Sequence, residues 1–341
     1  MFINHFLRIT MGQLQLSSLR RRLLTAAAVA AFLFVIAEMV ARYALGLGDP
    51  PLIVIDRDLE YAFLPGRSYE RFGNHIAYNA WSMRSPEVPS AREPGDTRIL
   101  VLGDSVVNGG ALTDQRDLAS EILARDLGPD AWVGNISAGS WGPKNLLAYT
   151  HRYGWFAADA TIIVVSTHDL GDLPEYRPHY GPDFPEKPPI SATIEGLTRY
   201  IPRHLPVLRP LLEAGPSAPG KVYTDDERKR QGEAAVLELL RWARSNVPTL
   251  VIVVHPTASE IGSPPPAQRK ALKRAIAQTG VVAFDPSDNP AWNSTFYRDD
   301  IHLNARGQAA YAHIFECLLQ ALREHASVST CSALSLATGA R

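Results

Sequence analysis

The sequence has few cysteines, almost no net charge and only one long apolar run. The 341 residues include two cysteines, Cys317 and Cys331, and the net charge is −1. No C-x-x-C pair occurs, so zinc ribbons and thioredoxin-like redox motifs are excluded. The balanced charge gives no indication of nucleic-acid binding. A disulfide between the two cysteines would need an oxidising compartment, and the sequence leaves that pairing open.

The one long apolar run lies near the N-terminus. Residues 23–41 contain a single charged side chain, Glu38, and a helix of this length spans roughly 28 Å, close to the thickness of a bilayer core. Four arginines and no acid precede the run, so the positive-inside rule predicts a cytoplasmic N-terminus. We expect residues 1–22 to form a cytoplasmic tail and residues 23–45 a single-pass anchor in the inner membrane, with the remainder in the periplasm. A cleaved signal peptide and a buried core helix are the alternatives.

Short apolar runs alternate with helical patterns along the rest of the chain. Runs of this length without polar alternation are typical of strands buried on both faces of a parallel sheet. The predicted strands are 98–102, 131–136, 161–166, 249–254 and 281–284, and the predicted helices are 116–127, 144–153, 225–245, 266–279 and about 305–325. The alternation predicts a doubly wound α/β fold with helices on both faces of the sheet.

Composition suggests the domain organisation. Residues 46–97 are rich in proline, glycine and aromatic side chains and are interpreted as a connector with some local structure. Residues 98–326 are interpreted as the main domain and residues 327–341 as a flexible tail. Residues 171–224 break the alternation and hold 11 of the 26 prolines. Long loops in α/β proteins are often functional, so this insertion is expected near the carboxyl ends of the strands, where ligands bind. A solvated linker without contact to the site is the alternative.

Ser105 is the first candidate for chemistry. It ends the segment Gly103-Asp104-Ser105, which follows the first predicted strand and leads towards a helix. A serine in this position exposes its hydroxyl, and free backbone N–H groups at the start of a helix can stabilise an oxyanion. The alternative is an ordinary turn, because glycine, aspartate and serine all favour turns.

Asp299 and His302 form the second candidate. They are three residues apart, just before the last predicted helix, and in a helical turn side chains at this spacing are neighbours. A carboxylate that accepts the imidazole Nδ1–H leaves Nε2 free to act as a base towards a serine hydroxyl. The alternative is a helix N-cap with an incidental histidine.

Together, the two segments resemble the SGNH, or GDSL-type, hydrolase family over about residues 98–325. The family's first block, a strand followed by G-D-S, is matched by residues 103–105, and its last block, D-x-x-H, by residues 299–302. The glycine of the second block is matched most closely by Gly139 in NISAGSWG. The third block, usually G-x-N-D, reads STHD here, with His168 in the place of asparagine.

The resemblance implies a flavodoxin-like three-layer α/β/α sandwich and serine esterase chemistry that needs no metal or cofactor. Ser105 would attack an ester carbonyl, His302 would take and return the proton, and Asp299 would orient His302. The N–H groups of Ser105 and Gly139 and the side chain of His168 would bind the oxyanion. Asp169 is expected to point away from His168, on an extended strand end.

The expected substrate is an acyl ester, chiefly an O-acetylated carbohydrate of the cell envelope, as implied by the expected location and the resemblance. Transfer of the acyl group to a sugar uses the same residues, so an O-acyltransferase is one alternative. An inactive membrane-tethered binding or assembly protein is another, suggested by the changed third block. Ser140 is an alternative nucleophile, because AGSWG approaches the G-x-S-x-G elbow of α/β-hydrolases.

A segment before the main domain adds one observation. YNAWSMR, residues 78–84, is similar to an N-x-x-G-x-R segment of envelope-anchored members of the same family, with Ser82 in the place of the glycine. A structural role is the simplest expectation for Arg84.

Overall fold

The computed structural model describes residues 2–174, 184–201 and 223–333 of the chain. The helices are α1 (Phe2–Tyr43), α2 (Ser105–Asn108), α3 (Ala119–Leu127), α4 (Pro143–Tyr153), α5 (Ala192–Glu195), α6 (Asp225–Asn246), α7 (Ala267–Ala277) and α8 (Ala305–Arg323). The strands are β1 (Ile53–Asp56), β2 (Glu60–Phe63), β3 (Arg67–Arg71), β4 (Asn74–Tyr78), β5 (Thr97–Gly103), β6 (Ala131–Ser137), β7 (Ala160–Val165), β8 (Thr249–Val254) and β9 (Val282–Phe284).

Strands β5 to β9 form one parallel sheet in the order β6-β5-β7-β8-β9. Counted along the chain from β5, this is the order 2-1-3-4-5 of flavodoxin-like folds. The predicted fold class and the five predicted strands are confirmed. Helix α3 begins at Ala119 and not at residue 116, because Leu118 is extended and separates it from a 3-10 turn at Gln115–Asp117.

Both faces of the sheet are apolar, which explains the unbroken apolar runs. Leu100 and Leu102 of β5 pack with the layer that contains α4, α6 and α7. Ile99 and Val101 of the same strand pack with the layer that contains α3 and α8. Because successive side chains of a strand point to opposite faces, each sheet strand contributes to both cores. The result is three layers, with the carboxyl ends of the strands at one common edge.

Residues 46–97, expected to be a connector, are part of the folded body. They contain two antiparallel hairpins, β1–β2 and β3–β4. The first hairpin packs on the chain that follows β6: Trp141 Nε1 donates to the Tyr61 carbonyl at 3.1 Å, and Asn145 Nδ2 donates to the Leu59 carbonyl at 2.9 Å. The sequence pattern does not predict these hairpins, because their strands are only four or five residues long and are joined by turn residues.

The C-terminal segment folds back on α8. Cys317 and Cys331 form a disulfide, and Cys331 is buried in the core beside α8. It belongs to a 3-10 turn, Val328–Ala333. The expected flexible tail therefore does not begin at residue 327, and its last part, residues 334–341, lies outside the described residues.

Helix α1 carries an apolar segment, Leu19–Tyr43, that is long enough to cross a membrane and is not buried by the rest of the described chain. The alternative of a buried core helix is therefore wrong. A single exposed apolar helix near the N-terminus is compatible with a single-pass membrane anchor. The expected anchor, residues 23–45, falls within this segment except for its last two residues, which follow the helix end at Tyr43.

Candidate active site

Ser105 is the first residue of α2, directly beyond the carboxyl end of β5. Asp104 caps this short helix, and its carboxylate accepts a backbone N–H of the first turn at 2.9 Å. Gly103 has no room for a side chain, because a Cβ there would collide with Val107. Gly109 ends α2 with φ 74°, in the left-handed region that favours glycine. The flanking glycines thus permit the sharp turn from strand to helix that presents Ser105.

His302 joins Ser105 to Asp299. Its Nε2 lies 2.9 Å from Ser105 Oγ, and its Nδ1 lies 2.8 Å from Asp299 Oδ2 and 3.0 Å from Oδ1. A base in hydrogen-bond contact with a hydroxyl, and itself oriented by a carboxylate, is the arrangement that activates a serine. The structure brings the three predicted residues together, although Ser105 and His302 are 197 positions apart.

The segment from Arg298 to His302 is a bend closed by its own hydrogen bonds, and not the predicted helical turn. The Arg298 N–H donates to the His302 carbonyl at 2.9 Å. The Asp299 carboxylate accepts the N–H of Ile301 at 3.0 Å and that of His302 at 2.7 Å. Burial raises the pKa of Asp299, but these backbone bonds and the His302 side chain outweigh it and hold the pKa below its ordinary value. Asp299 is therefore ionised at neutral pH and can stabilise an imidazolium.

His255 supports this bend, and the sequence analysis assigned it no role. It follows β8 and is buried, with Nε2 2.9 Å from the Ile301 carbonyl and Nδ1 in contact with the Tyr311 hydroxyl. Burial lowers the pKa of His255 to about 3, so the ring is neutral. Because a carbonyl only accepts, the proton is on Nε2 and Nδ1 accepts from Tyr311. Its target lies 46 positions away, and no local motif marks such a contact.

Arg84 fixes the loop that follows Ser105. Its buried guanidinium donates to the carbonyls of Asn108, of Gly110 at 2.7 Å and of Thr113 at 2.6 Å. Burial lowers the pKa of Arg84, and three carbonyl dipoles replace the water that it loses. Ser82 has φ 60°, which accounts for glycine in the related sequence pattern. The YNAWSMR segment therefore has a structural role at the edge of the site.

Gly139 lies in the turn between β6 and α4. Strands β5 and β6 are neighbours in register, so the turns that carry Ser105 and Gly139 leave the sheet side by side. The Trp141 N–H donates to the Ala138 carbonyl at 3.3 Å, and the Gly139 N–H points the opposite way because it belongs to the same planar peptide unit. On the other side, the Tyr61 hydroxyl donates to the Gly139 carbonyl at 2.5 Å. Both peptide units of Gly139 are thus held in place.

His168 lies in a 3-10 turn, His168–Leu170, beyond the carboxyl end of β7. Its Nδ1 is 2.6 Å from Ser166 Oγ and 3.3 Å from Asp169 Oδ1. Its Nε2 is 3.4 Å from Asp172 Oδ2 and 3.9 Å from Asp104 Oδ2. The prediction that Asp169 points away is wrong, because the chain turns here and does not continue as a strand. His168 therefore faces three acids, one of which adjoins Ser105.

These acids hold protons at higher pH than isolated carboxylates do. Burial raises the pKa of Asp104, and burial together with the charge of Asp104 raises the pKa of Asp169 well above its ordinary value. Burial also raises the pKa of Asp172, to about 6. Asp104 Oδ2 is buried without a hydrogen-bond partner among the described residues. The ligand atoms of Asp104, His168 and Asp169 lie within 4.8 Å of one another, so a shared proton or one cation would relieve the repulsion.

Ser140, the alternative nucleophile, lies in a strand-turn-helix segment, as an elbow requires. It is exposed and has φ 57°. Within the described parts of the chain, however, its hydroxyl has no hydrogen bond to a histidine, whereas that of Ser105 does. The geometry favours Ser105.

Comparisons with known proteins give distant likenesses only. No family model matches the sequence, and no curated protein matches it. Among solved structures, an alpha/beta hydrolase enzyme from the metagenome of Lake Arreo, Spain, is 13% identical with a TM-score of 0.39, covering 66% of this chain and 96% of its own. A variant of an acetyl xylan esterase from Geobacillus stearothermophilus is 14% identical with a TM-score of 0.39, covering 65% of this chain and 94% of its own. Likeness at this level carries no conclusion about activity.

Proposed function

We propose that the protein is a membrane-anchored serine esterase of the SGNH type. The observation that carries the proposal is the unbroken path from Asp299 through His302 to Ser105, with contacts of 2.8 and 2.9 Å. Ser105 Oγ attacks the ester carbonyl while His302 Nε2 takes its proton, and that proton leaves with the alcohol. The acyl group stays on Ser105 until a water molecule or another hydroxyl, deprotonated by His302, removes it.

The oxyanion is bound by three donors in this proposal. Ser105 is the first residue of α2, so its N–H has no acceptor within the helix. The Gly139 N–H is held by the turn described above. His168 Nε2 supplies the third donor: its contacts with Asp172 and Asp104, at 3.4 and 3.9 Å, are longer than strong hydrogen bonds and can yield to an oxyanion.

An O-acetylated carbohydrate on the outer side of the inner membrane is the proposed substrate. The apolar segment of α1 and the four preceding arginines support an anchor with a cytoplasmic N-terminus. The Cys317–Cys331 disulfide supports an oxidising compartment for the main domain. A cavity of about 720 Å³ adjoins His168, and Arg228, Lys229, Glu233 and Arg274 are among the residues that line it. The charged side chains of this lining can hydrogen-bond the hydroxyl groups of a carbohydrate.

The test is ester hydrolysis by the detergent-solubilised full chain, with p-nitrophenyl esters of increasing acyl length and an O-acetylated glycan. We expect release of acetate that is abolished in Ser105→Ala and retained in Ser140→Ala, the matched control. Adding an acceptor sugar separates the two outcomes of deacylation, since a transferase forms acetylated sugar at the expense of free acetate. Activity lost in Ser140→Ala and kept in Ser105→Ala would overturn the assignment.

A further inference from the structure

The C-terminal end of α1 is fixed to the main domain through Glu38. Its Oε2 accepts the Ser191 hydroxyl at 2.6 Å and the Thr193 N–H at 2.9 Å, and its Oε1 accepts the Ala192 N–H at 2.9 Å. These donors stand at the start of α5. Glu38, the only acid of the apolar segment, also pairs with Arg42 of the same helix at 2.9 Å, and its other partners lie in residues 184–201 of the proline-rich insertion.

A second contact locks the same junction. Glu195, at the end of α5, is 4% exposed and pairs with the fully buried Arg71 of β3 at 2.5 Å. Glu195 also accepts the N–H of Gly48, while Arg71 donates to the Gly46 carbonyl at 2.7 Å. Because the chain after α1, the β3–β4 hairpin and α5 share one buried ion pair, they cannot move independently.

The polarity of α5 and the turn that follows it, Gly196–Tyr200, is inverted. Ser191 and Glu195 face the protein and are buried, and the other polar side chains of the segment are partly buried. The outward row is apolar, and its members are Ile190 (98% exposed), Ile194 (50%), Leu197 (52%) and Ile201 (37%). Ile194, Leu197 and Ile201 are spaced three and four residues apart, which places them on one face of the helical segment that begins at Ala192, and Ile190 lies just before it. An exposed apolar row of this kind marks an interaction surface.

The position of Glu38 identifies what covers this row. Glu38 is five residues before the end of α1 at Tyr43, which is about 7–8 Å along the helix axis. If α1 spans the bilayer, the start of α5 lies at the depth of Glu38, in the outer interfacial layer. An unpaired carboxylate at that depth is costly, and the donors of α5 lower this cost together with Arg42. The segment that carries the apolar row is therefore joined to α1 at the depth of the interface.

We infer that residues 190–201 form an interfacial segment, helical from Ala192 onwards, whose apolar row is embedded in the outer leaflet of the membrane that α1 crosses. The inference rests on the membrane anchorage in the proposed function and is independent of the esterase chemistry. An amphipathic segment in the interface next to a spanning helix fixes the tilt of the attached domain, where a lone spanning helix would leave it free to swing. The catalytic site is thereby held at a set height above the lipid, suited to a substrate in the adjoining envelope.

The experiment is site-directed spin labelling of the full chain in phosphatidylcholine vesicles. The chain's two cysteines form the disulfide, so Ile194→Cys and Leu197→Cys each present one free thiol. Ser245→Cys is the control, because Ser245 is exposed near the end of α6. This end of α6 leads into β8 at the amino edge of the sheet, opposite to the carboxyl edge that carries Ser105. We expect labels at 194 and 197 to collide several-fold more with oxygen, which dissolves in lipid, than with a water-soluble nickel complex, and the label at 245 to show the reverse.

The other outcomes overturn the inference in distinguishable ways. Labels at 194 and 197 that collide with nickel as readily as the label at 245 would show a row in water. Labels shielded from both reagents would show a row covered by protein, such as a second copy of the chain. Flotation of the vesicles on a density gradient is measured first, since a chain that fails to float would overturn the anchorage itself, while ester hydrolysis by the same preparation would leave the esterase proposal standing.

Discussion

The two histidines of the site have the same side chain and opposite surroundings. His302 contacts one half-exposed carboxylate, Asp299, which accepts two backbone N–H groups and is ionised. His168 contacts Asp104, Asp169 and Asp172, whose pKa values burial raises. Asp299 orients the ring of His302 towards the Ser105 hydroxyl. The three acids around His168 repel one another, and either the imidazole or a bound proton reduces this repulsion. The difference teaches that the neighbouring acids, and not the histidine, decide each role.

Replacing Ser105 or His302 is expected to have the largest effect on ester hydrolysis. Ser105→Ala and His302→Ala should each lower kcat by about 10⁴-fold or more, because each removes part of one proton-transfer unit. The double variant should be little worse than either single one. Rates on p-nitrophenyl acetate, with thermal unfolding as the control for folding, test this. Wild-type turnover by Ser105→Ala would contradict the assignment.

The His168 side should have a smaller effect that depends on the replacement. His168→Ala should lower kcat on the order of 10²-fold, the usual size for one oxyanion donor. His168→Asn restores a side-chain N–H and should keep much more activity. A purely structural histidine would instead give equal losses in both variants, in step with their thermal stability. Equal rates for His168→Ala and wild type would contradict an oxyanion role for His168 and would not affect the roles proposed for Ser105, Asp299 and His302.

The three acids around His168 should make the free energy of unfolding depend on pH. Folded Asp172, with its pKa raised to about 6, keeps a proton between about pH 4 and 6 that the unfolded chain has lost. The free energy of unfolding therefore falls as pH rises through this window. Asp172→Asn should be more stable than wild type by up to about 3 kcal/mol at pH 7.5, from roughly two pKa units, and the gain should vanish near pH 4. Denaturant unfolding at both pH values tests this, with the exposed Asp130→Asn as control.

Metal removal should have the smallest effect. We expect dialysis against EDTA to leave ester hydrolysis unchanged, because a proton shared among the acids relieves their repulsion without a cation. Loss of activity that zinc, calcium or manganese restores would contradict this and assign Asp104, His168 and Asp169 to a cation.

The sheet was predictable because its apolar runs are local signals: successive residues such as Ile99 and Leu100 enter opposite cores, so both must be apolar. The contacts that join Ser105, His302 and Asp299 were also predictable, from a strand-end G-D-S and a D-x-x-H. The shape of the bend at Asp299 was not, because it depends on His255, which follows β8 and is distant in sequence. Nor was Tyr61, which reaches Gly139 from a hairpin 78 positions earlier. What sequence reasoning missed are buried polar contacts between distant segments, which leave no periodic pattern.

The acid cluster escaped prediction for a related reason. Asp104 and Asp169 each follow a different strand and meet only because β5 and β7 are neighbours in the sheet. A motif read by itself shows one acid and an adjacent histidine, and the repulsion that raises the pKa values exists only once the strands pair.

Labelling with a fluorophosphonate probe, followed by peptide mass spectrometry, tests the central claim most directly. Such a probe reacts with a serine hydroxyl only when a base activates it. We predict a single adduct on the peptide that contains Ser105, formed by wild type and Ser140→Ala and absent from His302→Ala. An adduct on Ser140, or none on the folded wild-type chain, would contradict the account.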